Sequence, residues 1–118
     1  MHELSIATRL IEIASERAAE AGGRVTAVTV RVGRLTCVHE DALRFGFEIA
    51  REGTPLDQAE LRIVSIPVSV WCPPCGREFE LAGIQRLACP HCGRPTAEIR
   101  SGRELDLESI ELSETLPA

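Results

Sequence analysis

The chain has 118 residues, 44% of them apolar, with three Phe, one Trp and no Tyr, so it has room for one modest core filled by Val, Ile, Leu and Ala. A formal charge of −5 and a pI near 5.2 lack the basic excess that phosphate backbones demand, which weighs against nucleic acid as a partner. No run of 18 apolar residues is present to cross a bilayer, and His2-Glu3 follows Met1 with no basic stretch leading into an apolar one, so no membrane partner and a cytoplasmic protein are expected.

From Leu4 to Ala21, apolar residues at Leu4, Ala7, Ile11, Ala14, Ala18 and Ala21, joined by Leu10 and Ile13, recur every three or four positions. This spacing predicts an amphipathic helix that stops at Gly22-Gly23. The period then changes to two, with Val28, Val30 and Val32 on one face and Thr29 and Arg31 on the other, which predicts a strand. After a connection from Gly33 to His39, Leu43, Phe47 and Ala50, with Phe45 and Ile49 beside them, predict a second helix ending at Gly53-Thr54-Pro55. Ala59 to Val70 is β-branched and extended, with an edge or break at Pro67, which has no backbone donor.

Beyond the cysteine segment, Thr96 to Arg100 predicts a short strand and Glu104 to Leu112 another. Leu105 and Leu107 are out of phase with Ile110 and Leu112, which predicts a bulge near Glu108-Ser109. The expected fold is α+β: a small three-stranded sheet with two helices, into which a four-cysteine zinc ribbon is inserted. The expected domains are residues 1–70 completed by 101–118, and the ribbon at 71–100.

Two knuckles carry the strongest chemical signal. They read Cys72-Pro-Pro-Cys75-Gly and Cys89-Pro-His-Cys92-Gly, thirteen residues apart. Two residues between thiolates let one turn present both sulfurs to one ion, and two facing knuckles complete a tetrahedron suited to zinc. In a reducing compartment, and with an odd count of five, cysteines favour metal ligation over a disulfide framework. With Cys72, Cys75, Cys89 and Cys92 all used, the zinc is expected to be structural. His91, inside the second knuckle, is expected to point to solvent. The knuckles also resemble those of rubredoxins, so a rubredoxin-like iron electron-transfer protein is one alternative; a zinc-ribbon adaptor for other proteins is another.

Metal-binding groups concentrate once more, at Met1-His2-Glu3. The Met1 amine and the His2 backbone nitrogen form a five-membered chelate ring, and Nδ1 of His2 closes a six-membered ring with that same nitrogen. Such a plane of nitrogens suits Ni(II) or Cu(II) better than zinc. Glu3 can add a carboxylate or its own amide, and His39, Glu40 or Asp41 is a candidate fourth donor. From these residues alone, His2 reads rather as an exposed side chain near the chain end, as lone histidines usually are.

The opening Met1-His2-Glu3-Leu4-Ser5, the strand Val28-Thr29-Val30-Arg31-Val32-Gly33 with Leu35, the stretch Ala42-Leu43-Arg44-Phe45 and both knuckles together resemble the hydrogenase maturation nickel metallochaperone family of HypA and its paralogue HybF. The resemblance covers essentially the whole chain. It implies a non-enzymatic protein with nickel at His2 and its neighbours and a structural zinc. The implied partners are the GTPase HypB and the large subunit of [NiFe] hydrogenase, with urease served in some species. Cys37 and His39 depart from the pattern, where a small non-thiol residue and an acidic one are expected; they read as a half-buried thiol and a surface histidine.

Overall fold

The computed structural model describes residues 3 to 113. Helix α1 runs Glu3–Ala21 and buries Ile6, Ala7, Leu10, Ile11, Ala14 and Ala18. The buried face is the one the spacing predicts, rotated slightly. Ile6 joins it, whereas Leu4 is 50% exposed and Ala21 lies at the exposed last turn. The Gly22 amide closes the helix on the Ala18 carbonyl at 2.9 Å.

Strand β1 (Arg24–Gly33) buries Val25, Ala27, Val28, Val30 and Val32. A short 3-10 turn, Arg34–Thr36, leads to helix α2 (Glu40–Ala50). This helix ends three residues before the predicted stop, because Arg51 already caps it and a new turn begins there: the Thr54 amide reaches the Arg51 carbonyl at 3.0 Å and its hydroxyl does so at 2.6 Å. Leu43, Gly46 and Phe47 are buried, while Phe45 and Ile49 stand 65% and 49% exposed. These two fall on the side of the helix away from the apolar stripe.

Strands β2 (Glu60–Ile66) and β3 (Ser69–Cys72) are separated by Pro67, as its missing donor requires. Strands β4 (Arg77–Glu80), β5 (Ile99–Ser101) and β6 (Leu105–Ser113) follow. One sheet has the order β2-β1-β6, so the last strand does return to the first. A second has the order β4-β3-β5. Along β6, two exposed residues in succession, Glu108 and Ser109, separate half-buried Leu107 from Ile110 and Leu112, so the burial slips phase where the sequence does. No described helix is long and apolar enough to cross a membrane.

The chain divides into two units. One holds the chain up to Val30, Val38–Ile63 and the chain from Leu107 onward. Its core is the α1 face together with Val25, Val28, Leu43, Phe47, Leu56 and Leu61, all buried. Arg44 of α2 and its C-cap Arg51 fasten the helix to the entry of β2, Arg44 donating to the Leu61 carbonyl and Arg51 to the Ala59 carbonyl, each at 2.7 Å. The other unit, Arg31–Cys37 with Val64–Asp106, is built on Val68, Val70 and Leu81, with Leu35, Ile84, Leu87 and Ile99 packed against them. So small a core gains from a metal clip.

Candidate metal centre

Strand β3 delivers the first knuckle. Its register with β4 (Ser69 opposite Glu80, Cys72 opposite Arg77) makes residues 73 to 76 the connection of a hairpin. The Gly76 amide returns to the Cys72 carbonyl at 2.8 Å with φ +66°, a conformation that glycine adopts without steric cost. The second knuckle repeats the device. Gly93, at φ +78°, donates to the Cys89 carbonyl at 2.8 Å, and the Cys89 amide donates to Arg94 at the same distance. Trp71 ties the two together: its amide donates to the Glu98 carbonyl at 2.9 Å and its carbonyl accepts from the Thr96 hydroxyl at 2.7 Å.

The result brings four sulfurs around one point. Cys72 and Cys92 Sγ are 3.6 Å apart, Cys75 and Cys89 Sγ 3.9 Å, and all four lie within 4.8 Å of one another. A zinc tetrahedron with bonds of about 2.3 Å has sulfur–sulfur edges of about 3.8 Å; the Cys72–Cys92 and Cys75–Cys89 edges match this, and the four residues suit such an ion in number and kind. Cys72 and Cys89 are buried, Cys75 is half-buried and Cys92 exposed.

Their ionisation is uneven. Burial, followed by the neighbouring thiols, pushes the Cys75 thiol up to about 12. At Cys89 burial also opposes ionisation, yet the backbone amides of Cys92 and His91 and the neighbouring thiols outweigh it and bring the thiol down to about 7. The Cys92 amide stands 3.4 Å from Cys89 Sγ. At Cys72 the Cys75 amide favours the thiolate, but burial and the other thiols prevail and the value is raised. Four sulfurs so close ionise together only when a cation compensates them.

His91 does not simply point to solvent. Although exposed, its ring is stacked with Phe79, centroids 6.1 Å apart and planes 21° apart, and its Nδ1 is 3.8 Å from Cys75 Sγ. The two-residue gap that marks the knuckle gives no sign of this, because Phe79 comes from β4.

Met1 and His2 lie outside the described residues. Glu3 is the first residue of α1, where its charge suits the positive end of the helix dipole. His39 is the N-cap of α2 and makes no side-chain capping bond; it is exposed, as are Glu40 and Asp41 in the first turn. Among the described residues, the four cysteines are the one group of three or more metal-ligating side chains that converges, so Glu3, His39, Glu40 and Asp41 do not form another. Cys37 is an exposed free thiol at φ +57°, not the half-buried one expected, and takes no part in the cluster.

The family model described as hydrogenase/urease nickel incorporation, metallochaperone, HypA matches residues 1–112. The hydrogenase maturation factor HypA of Chloroflexus aggregans is 54% identical over 112 residues, covering 94% of this chain and 98% of that protein. That of a Roseiflexus species is 44% identical over 118 residues, covering 99% and 96%. The solution structure of a HypA protein superposes with a TM-score of 0.73 at 26% identity, covering 98% of both chains. That of the nickel metallochaperone HypA from Helicobacter pylori gives 0.66 at 26%, covering 95% and 97%. Likeness on this scale runs far beyond the knuckles, which removes the ground for a rubredoxin. With the helices, the sheets and the four-cysteine cluster accounted for together, the chain belongs to the HypA family, nickel metallochaperones of hydrogenase maturation and not enzymes.

Proposed function

We propose that the protein carries Ni(II) at its N-terminus, on the Met1 amine, the His2 backbone and imidazole nitrogens, and Glu3, while Cys72, Cys75, Cys89 and Cys92 hold a structural zinc. Nickel is the cargo here, and zinc the resident ion. The observation that supports this division is the closed sulfur cluster: four cysteine sulfurs that converge within 4.8 Å of one another supply a full tetrahedral ligand set and leave no open position for a metal that must be handed on. A family that incorporates nickel needs an exchangeable site, and a terminal chelate of nitrogen donors is weakly anchored and accessible to a partner's ligands. The first amides of a helix have no intrahelical acceptor, so their use by a metal breaks no hydrogen bond. We assign nickel to the domain expected from the sequence at residues 1–70 and 101–118 and zinc to that at 71–100, although the unit carrying the knuckles extends beyond that ribbon, to Arg31–Cys37 and Val64–Asp106.

Delivery is to the large subunit of [NiFe] hydrogenase, in the cytoplasm, with the GTPase HypB as the working partner. Transfer proceeds by ligand exchange, each protein nitrogen giving way to a recipient ligand. Loading displaces protons from amine, imidazole and amide, so affinity falls as the pH is lowered. The test is a nickel titration of the zinc-loaded protein and its His2→Ala variant at neutral pH. A large loss of affinity in the variant supports the N-terminal site, and equal affinity in both rejects it.

A further inference from the structure

We propose that His91 is a positioning residue of the four-cysteine centre, donating its Nδ1–H to the metal-bound thiolate of Cys75. This rests on the reading of that cluster as a metal site. Pro90 and the Cys89–Arg94 and Gly93–Cys89 hydrogen bonds fix the backbone on either side of His91, so its side chain leaves the second knuckle in a set direction. That direction crosses to the first knuckle, where Nδ1 is 3.8 Å from Cys75 Sγ. The ring is held there by Phe79, which β4 places opposite Val70. Arg77 in turn lies over the Phe79 ring, its guanidinium carbon 4.7 Å from the centroid. Arg77, Phe79 and His91 thus form one aromatic-cationic arrangement bridging the knuckles.

The donors to sulfur are distributed in a way that gives His91 a task. Within the second knuckle the first cysteine takes a backbone amide from the second, Cys89 from Cys92 at 3.4 Å, and in the first knuckle the Cys75 amide favours the Cys72 thiolate. Cys75 is a second cysteine, and the imidazole of the opposite knuckle supplies its donor. With a proton on Nδ1, the ring would draw charge from the thiolate and orient the Cys75 sulfur toward the metal it holds. Because Cys75 is only half-buried, the same ring also covers the ligand against incoming thiols and chelators.

Cobalt substitution and chelator competition test this at fixed neutral pH in the full-length protein. His91→Phe retains a ring against Phe79 and removes the donor, whereas His91→Asn retains an N–H close to the position of Nδ1. His91→Phe is expected to bind zinc about tenfold more weakly than wild type, the lower end of what such outer partners contribute. Its sulfur-to-cobalt charge-transfer band is expected to move to lower energy, because the thiolate becomes more electron-rich. His91→Asn should retain the wild-type band and affinity. Wild-type affinity and an unshifted band in His91→Phe would overturn the proposal, as would a His91→Asn variant that behaves like His91→Phe. If the wild-type protein itself takes up cobalt without a four-sulfur spectrum, the metal-centre reading fails first, and that result is distinct from either of the others.

Discussion

Gly46 of α2 meets the backbone of Leu4 in the first turn of α1: a Cβ on residue 46 would stand 3.2 Å from Leu4 Cα and 3.4 Å from the Glu3 carbonyl oxygen. Absence of a side chain therefore sets how closely the second helix approaches the turn that follows His2 in sequence. Gly46→Ala gains helix propensity of about 1 kcal/mol against a contact that backbone must yield to, so its net effect is expected to be small. Gly46→Leu gains nearly the same propensity, but its longer side chain has no room against that backbone, and it is expected to destabilise the protein by about 1 to 2 kcal/mol net through overpacking. Nickel affinity should fall with it while zinc content is unchanged, which denaturant melts and metal analysis on the same samples will check.

The sequence contains thirteen arginines and no lysine. An amine-selective reagent therefore has the α-amino group of Met1 as its target in a preparation that begins there. Acetylating it removes one of the proposed planar nitrogens without any substitution. The modified protein is expected to lose most of its nickel affinity and to keep its zinc; retention of both after complete acetylation, verified by mass spectrometry, would remove the amine from the ligand set.

At the sulfur centre, Cys75→Ser deletes one of four thiolates. Structural zinc contributes on the order of 10 kcal/mol to the folding of small metal-dependent units, so losing a quarter of the ligand set is expected to weaken the second unit by about 3 kcal/mol. Strong chelators, which remove the ion altogether, should weaken that unit of the wild-type protein further, reversed by added zinc. Circular dichroism melts with and without chelator measure it. Nickel binding should change only modestly, since the thiolates are not its ligands in this account.

Arg31 holds Asp106 through two hydrogen bonds, 2.8 Å from Nε and 2.7 Å from Nη2, and the first effect of that contact is to keep the Asp106 carboxyl below its ordinary range. A depressed folded-state value means that the pair stabilises the protein above the unfolded carboxyl's pKa near 4 and that this contribution disappears as the pH falls through the folded value. Both side chains are more than a third exposed, so solvent screening limits the contribution to about 1 kcal/mol or less. Asp106→Asn is expected to lower stability slightly at pH 7 and by progressively less as the pH falls below 4, as urea titrations across that range will measure.

The parts of the fold that were legible in the sequence are those governed by local rules. Spacing of three and four marked the buried face of α1, period two marked Val28, Val30 and Val32, and Pro67 marked the gap between β2 and β3. The knuckles were legible because two residues between cysteines is a local geometric requirement. What escaped depends on distant partners. Phe45 and Ile49 look like core by composition and are exposed because the neighbouring helix meets Gly46 instead. Strand β4 was not anticipated within the cysteine segment, since Arg77–Glu80 has one apolar residue and is a strand only through its register with β3. The place of His91 followed from Phe79 across that hairpin, a contact that no spacing rule encodes.

In the proposed division of metals, nickel and the thiolates are separate. X-ray absorption at the nickel edge, on zinc-loaded protein carrying one equivalent of Ni(II), addresses it most directly. A first shell of nitrogen and oxygen alone is expected, with the pre-edge signature of planar nickel. Sulfur in the nickel shell would contradict it and place the cargo at the four-cysteine centre.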